Sequence, residues 1–381
     1  MLVFILLGVL LGIFAGLVPG LHSNTVISIL SNFELNQIEI IIIAIIPAHL
    51  IVSFIPSIFF GIPEQQTVVS VLPGQRMTLE GKGLVALKTV LLSILLATLI
   101  SMIIFPVSLW FFPIAYGAIR EWIKYIVLGL SLILLLRARN LLFSCLIFVL
   151  AGAMGYMSLN SGLSDPFLPL FSGLYAVPSL LLYKFQKIKV QKDLPLRDFN
   201  LIYVFLGVIG GILADLLPGI SSPGQVATFL TIFLPLNSLS YLSAVASIST
   251  SQVIFAISTA ASIDKARVGG IAILEKFVDL DKDPTHFLLL FFISVAITCS
   301  LVYILRTKLG VVSNLNMTSI NKILLFYLIF IVFVLDGMPG LLILGISSAL
   351  GYITINFGVA RTLLMGAVII PTLLLLFRIF I

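Results

Sequence analysis

The sequence predicts an all-α integral membrane protein, a polytopic helical bundle of two inverted repeats with broken helices and re-entrant hairpins. Three observations carry that expectation. The chain is 60% hydrophobic and only 9% charged, with a mean hydropathy of +1.25. A soluble domain carries roughly 25% charged residues, and one globular core cannot hide this much apolar surface. A segment near the start also recurs: Leu7 to Ser23 carries Gly8, Gly12, Pro19 and Gly20 where Leu206 to Ser222 carries Gly207, Gly211, Pro218 and Gly219. The offset is 199 (218 − 19), and 10 of the 17 aligned positions are identical. Each copy sets a Pro-Gly pair inside an apolar stretch, where it must interrupt a helix.

A spanning helix needs about 20 mainly apolar residues. That length predicts helices near 2–18, 37–54, 84–105, 122–136, 141–157 and 165–183, with shorter broken pieces at 21–31 and 56–73. The second half predicts helices near 201–217, 239–257, 285–305, 321–335, 340–356 and 361–380, with shorter pieces at 220–235 and 257–275. A second match ties the ends of the halves together. Gly155-Tyr156-Met157-Ser158 through Gly162 recurs as Gly351-Tyr352-Ile353-Thr354 through Gly358, offset by 196 (351 − 155). Pro178 and Pro371 follow near the end of each last helix. The organisation expected is a first transmembrane repeat over 1–183, a basic cytoplasmic linker over 184–200, and a second repeat over 201–381.

Charge decides between parallel and inverted repeats. With the linker in the cytoplasm, two helices place the loop of Arg137 and Arg139 there too, whereas its counterpart Asp336-Gly337-Met338-Pro339 has no basic residue. Conversely, Arg306 and Lys308 occupy a loop whose first-half counterpart, Pro106 to Ala118, has none. Basic residues favour the cytoplasmic side, so the swap predicts inversion. The formal charge of +6 is spread over such connections and clusters at Lys184, Lys187, Lys189, Lys192 and Arg197. It points to membrane topology and lipid headgroups, not to nucleic acid. No Lys or Arg precedes Arg76, so the first segment reads as a retained helix and not as a signal peptide. Cys145 and Cys299 stand singly in apolar runs and predict neither disulfide nor metal site.

Paired broken helices in the two halves of a membrane protein point to a transporter's binding site. After Pro19 and Gly20 come Ser23, Asn24 and Thr25; after Pro218 and Gly219 come Ser221, Ser222 and Gln225. Such residues cap a following half-helix, whose free N–H groups and positive dipole attract an anion. A third tract, Gly61-Ile62-Pro63-Glu64-Gln65-Gln66-Thr67 followed by Pro73-Gly74-Gln75-Arg76, reads as a re-entrant hairpin, with a rough counterpart at Ser247 to Gln252 leading to Arg267. Arg76 and Arg267 are candidates to neutralise a carboxylate or phosphate. Asp215 replaces Gly16 of the first copy in an apolar helix, and with Glu64 it is a candidate for ion coupling. His22, His49 and His286 show no ligand spacing and read as polar helix residues.

The double Pro-Gly signature, the tract from Gly61-Ile62-Pro63 to Gly81-Lys82-Gly83 and the Gly155 to Pro178 helix pair resemble the large membrane subunit of the tripartite tricarboxylate transporters. The chain looks like a compact, divergent relative. The resemblance implies a cation-coupled carrier of organic carboxylates, with a small membrane subunit and a binding protein as compatible partners that are not required. A weaker, local likeness joins Ala214-Asp215-Leu216-Leu217-Pro218-Gly219-Ile220-Ser221 to polyprenyl-phosphate translocases, which move a lipid carrier phosphate.

The function expected is therefore secondary transport of a small organic anion of the carboxylate class, driven by Na⁺ or H⁺, in a multi-pass protein of the cell membrane. A flippase for a polyprenyl phosphate is the alternative. No enzyme activity, resident cofactor or bound metal beyond a coupling Na⁺ is expected, and membrane lipids and a second copy of the chain are compatible neighbours.

Overall fold

Among the described residues, all regular secondary structure in the computed structural model is helical. It describes the chain except for residues 19–20, 34, 62–70, 183–188, 218–222, 224–225, 228–229, 231–236, 310, 312–316 and 380–381. The first half supplies α1 (Leu2–Leu17), α2 (Ser23–Leu30), α3 (Ile38–Ile55, continued by a π turn over Pro56–Phe60), α4 (Val71–Leu79), α5 (Gly83–Ile119), α6 (Ile123–Leu136), α7 (Leu141–Leu159) and α8 (Phe167–Leu181). The second half supplies α9 (Ile202–Leu216), α10 (Ser238–Ile263), α11 (Gly269–Leu274), α12 (Pro284–Leu309), α13 (Met317–Asn356) and α14 (Arg361–Leu376). Six helical stretches are long and apolar enough to cross a membrane among the described residues. The chain is a polytopic membrane protein. Side chains such as Phe326, Phe330 and Phe333 stand exposed on α13, as suits a surface that faces lipid.

Several elements differ from the sequence expectation, and α10 runs on to Ile263 where an end near 257 was expected. α5 does not end near residue 105 but continues through Pro106 and Pro113 to Ile119. Tertiary contacts hold the extension: Ser108 Oγ donates to Ser258 Oγ (2.7 Å), and Phe112 packs edge-on against Phe255 at 5.9 Å. Ser93 and Ser243 hydrogen-bond at 2.8 Å fifteen residues earlier on both helices (108 − 93 and 258 − 243), so α5 and α10 run side by side in one direction. In α13 the two expected helices join across Gly337, at φ 62° and ψ −152°. A Cβ on Gly340 would lie 3.5 Å from the carbonyl oxygen of Val332, eight residues back (340 − 332). A straight helix would separate those positions by about 12 Å, so α13 folds into two arms at Gly337.

Packing follows the sequence repeat. α1 lies on α3 and α9 on α10. A Cβ on Gly8 would meet Ala44 Cβ at 2.7 Å, and one on Gly207 would meet Ser247 Cβ at 2.4 Å. Small residues at such crossings let membrane helices approach closely. The contacts make Ser247 the counterpart of Ala44 and Ser251 the counterpart of Ala48. Ser247 to Gln252, expected as the rough counterpart of the Gly61 tract, instead takes the place that Ala44 to His49 takes in α3. Other contacts exchange between the halves: α3 packs on α12 and α5 on α10, while α7 packs on α14 and α13 on α8.

The polar connection at 189–200 crosses the turn between α4 and α5. Lys192 N–H donates to the Gly81 carbonyl (3.0 Å), and the Gly83 N–H donates to Gln191 Oε1 (2.7 Å). Asp193 then accepts from Lys88 of α5 and from Arg306 Nε of α12 (3.1 Å), so the connection straps the two halves at one end of the bundle.

Candidate functional site

Pro19, Gly20, Pro218, Gly219, Ser221, Ser222, Gln225 and Glu64 lie outside the described residues. The flanks of both breaks are described. α1 stops at Leu17 with Val18 extended, and α2 begins at Ser23 after an extended His22. α9 stops at Leu216 with Leu217 extended, repeating the first exit. In both copies, then, the backbone leaves helical geometry just before Pro-Gly.

At the first break, Ser23 and Thr25 are buried, while Asn24 is turned toward the start of α11. A Cβ on Gly269 would meet Asn24 Nδ2 at 2.4 Å, so glycine there admits the amide. The Thr25 hydroxyl donates to Asp165 Oδ2 at 2.6 Å. His22 and His49 approach with ring centroids 6.2 Å apart. At the second break, Asp215 is fully buried and its Oδ2 accepts from the Thr259 hydroxyl at 2.6 Å. Its Oδ1 has no hydrogen-bond partner among the described residues. Arg267 lies within electrostatic reach of Asp215, its Nε sealed from solvent and likewise unpartnered among the described residues. The Arg267 guanidinium carbon stands 5.9 Å from the Tyr116 ring centre, with Lys265 Nζ at 5.5 Å from the same ring. An aromatic face attracts such cations without consuming their N–H donors. Gly269, two residues beyond Arg267, carries the chain from this cluster to Asn24.

The structure thus gathers Ser23, Asn24 and Thr25 at one break, and Asp215 and Arg267 at the other, with α11 between them. Arg76 stands elsewhere. It lies on the end of the bundle covered by the 189–200 strap, with its side chain 78% exposed and its Nε 3.4 Å from Glu80. There it lines a cavity of about 690 Å³ with Glu80, Lys82 and Arg197. Sequence reasoning gave His22, at the start of α2, no role in the site and missed Asp165, which accepts from Thr25 of α2, and Asp336, which accepts from the Asp165 N–H. It also missed Thr259, the partner of Asp215. The signal available for Asp336 was an ionisable residue between two apolar runs, which in a membrane protein is a site candidate by default. Among the described residues, no three His, Cys, Asp or Glu side chains gather as a metal site.

The tripartite tricarboxylate transporter TctA family matches residues 2–197. An uncharacterized protein of Methanocaldococcus jannaschii is 25% identical over 402 aligned positions, covering 99% of each chain. No solved structure matches the chain. The likeness of Ala214 to Ser221 to polyprenyl-phosphate translocases finds no support in these comparisons. The family match spans more than half of the 381 residues and falls on a bundle of membrane-crossing helices. The chain belongs to the tripartite tricarboxylate transporter TctA family and is a multi-pass membrane carrier, not an enzyme.

Proposed function

We propose that the protein is a secondary transporter of a small organic anion of the carboxylate class, coupled to Na⁺ or H⁺, working by alternating access at its paired Pro-Gly breaks. The observation that carries this reading is the fully buried Asp215 within electrostatic reach of the half-buried Arg267 beside the second break. A guanidinium with an unspent N–H can take a carboxylate, and a buried carboxylate with an unspent oxygen can take a coupling cation. α2 offers its N-terminal end at the first break, where an anion gains from free N–H groups. The family's name supports the carboxylate class.

Inversion of the repeats is part of the proposal. Contacts that exchange between halves, α3 on α12 against α5 on α10, are what a two-fold relation between repeats produces. Arg76, Lys82, Lys88 and Arg306 share the end of the bundle that carries the strap, which favours a cytoplasmic strap by the distribution of basic residues. The α2–α11 contact and Tyr116 then belong to the opposite side. Alternating access would follow from one set of helices tilting against the other around the breaks.

Thermal stabilisation of the detergent-purified protein tests the substrate class. A ligand at 100 times its Kd adds about 2.7 kcal/mol to the folded state. Di- or tricarboxylates should raise the melting temperature, more so with Na⁺ or at lower pH. A shift with a short polyprenyl phosphate and none with carboxylates would overturn the reading.

A further inference from the structure

Asp165 and Asp336 form a second polar centre that the coupling role given to Asp215 does not use. Asp165 lies just before α8, and Asp336 ends the first arm of α13. The Asp165 N–H donates to Asp336 Oδ1 at 3.2 Å. Asp165 itself is well supplied, its Oδ1 accepting from the N–H groups of Phe167 and Leu168 (3.2 Å each) and its Oδ2 from Thr25. Asp336 is not. It is only 8% exposed, and its Oδ2 is sealed from solvent with no hydrogen-bond partner among the described residues. The titratable groups facing the pair are His22, beside Asp165, and His49, beside His22. No Lys or Arg forms an ion pair with either carboxylate among the described residues.

A carboxylate sealed from water next to a second, half-buried carboxylate does not stay ionised beside it unless a positive charge joins them. The fold does not demand the pair. At the repeat offset of 196, Asp336 corresponds to Asn140 (336 − 140) and Asp165 to Arg361 (361 − 165). Asn140 caps α7 by accepting from Phe143 N–H at 3.4 Å, and Arg361 Nη1 donates to Ser179 Oγ at 2.9 Å. An amide and a guanidinium thus serve the same architecture in the other half.

We infer that Asp165 and Asp336 bind one monovalent positive charge, Na⁺ or a proton, with Thr25 Oγ1 as a third oxygen. Occupancy ties α2, on the far side of the first Pro-Gly break, to the ends of α8 and α13. Emptying the site leaves the Thr25–Asp165 hydrogen bond as the tie between α2 and α8. The effect on transport rests on the carrier reading; the binding does not.

Melting of the purified full chain, with Asp215→Asn in the background to remove that group, isolates the site. NaCl is titrated against choline chloride at fixed ionic strength, and separately pH is lowered from 8 to 5 in choline. The background protein is stabilised by Na⁺ if the charge is an alkali ion, or by acid alone if it is a proton. Adding Asp336→Asn removes that stabilisation. A response unchanged by Asp336→Asn, or no response to either cation, overturns the inference. Should that variant fail to insert, Thr25→Val reads the same site: an apparent cation affinity weakened several-fold supports it, and an unchanged affinity counts against it. Carboxylate uptake by the unmodified chain, scored separately, tests the carrier reading, so loss of one leaves the other standing.

Discussion

Thr259 donates its hydroxyl proton to Asp215 across 2.6 Å, joining α9, which ends at the second Pro-Gly pair, to the serine-rich α10. The other carboxylate oxygen has no hydrogen-bond partner among the described residues, which suits it to a coupling cation. Asp215→Asn should therefore abolish accumulation of substrate against its gradient while leaving downhill exchange measurable. Thr259→Val, which strips a buried carboxylate oxygen of its donor, should destabilise by roughly 1–3 kcal/mol. Uptake by Asp215→Asn protein that keeps its full dependence on Na⁺ and pH would remove the residue from coupling.

The helix order was legible because hydropathy, glycine spacing and Pro-Gly pairs are local signals. α5 was misjudged for the same reason: Pro106 and Pro113 look like an end, and only Ser258 and Phe255 of α10, far along the chain, keep the helix going. At the candidate site, Asp215 announced itself by replacing a glycine of the repeat. Asp165, Thr25 and Asp336 could not, since their meeting depends on how α2, α8 and α13 dock. The Ser247 to Gln252 tract matched in composition what it does not match in position, because serine and glutamine suit a packed α10–α9 crossing as well as a hairpin.

Gly155 and Gly351 make reciprocal crossings between the halves. A Cβ on Gly155 would stand 1.8 Å from the Ala367 carbonyl oxygen, and one on Gly351 2.3 Å from that of Leu174. Gly155→Ala and Gly351→Ala should each cost about 1–3 kcal/mol through overpacking. Gly129→Ala on α6, where nothing lies within 4 Å, should be neutral or slightly stabilising. Melting curves of the three proteins in one detergent decide it.

The strap predicts a pH dependence. The Asp193 carboxyl is held below its ordinary value, first by the hydrogen bond from Lys88 and then by the charges of Lys88 and Arg306. A depressed value in the folded state means that the latch contributes fully above the unfolded value of about 3.9. The contribution then disappears as pH falls through the folded value. Asp193→Asn should lower the melting temperature by similar amounts at pH 7 and pH 5, and the gap should close below about pH 4. A gap that closes already between pH 7 and 5 would assign the effect to another group.

In the proposed carrier Arg267 is the cation offered to the substrate, so its loss should act on recognition. Arg267→Gln should raise the KM for carboxylate at least tenfold, and Arg267→Lys should restore only part, because a point charge replaces a planar two-pronged donor. Equal kinetics for Arg267→Gln and the unmodified chain would place the anion elsewhere.

Pro-Gly breaks are the moving parts of this account. Gly20→Leu and Gly219→Leu should each stop transport while the protein still inserts and melts cooperatively. Full activity in both would reduce the motif to a packing kink.

The most direct test is uptake of labelled di- and tricarboxylates into proteoliposomes holding the purified chain alone, with an imposed inward Na⁺ or H⁺ gradient. The account predicts accumulation above equilibrium that collapses when the gradient is dissipated and that Asp215→Asn abolishes. Uptake that merely equilibrates, with no response to either gradient, would contradict it.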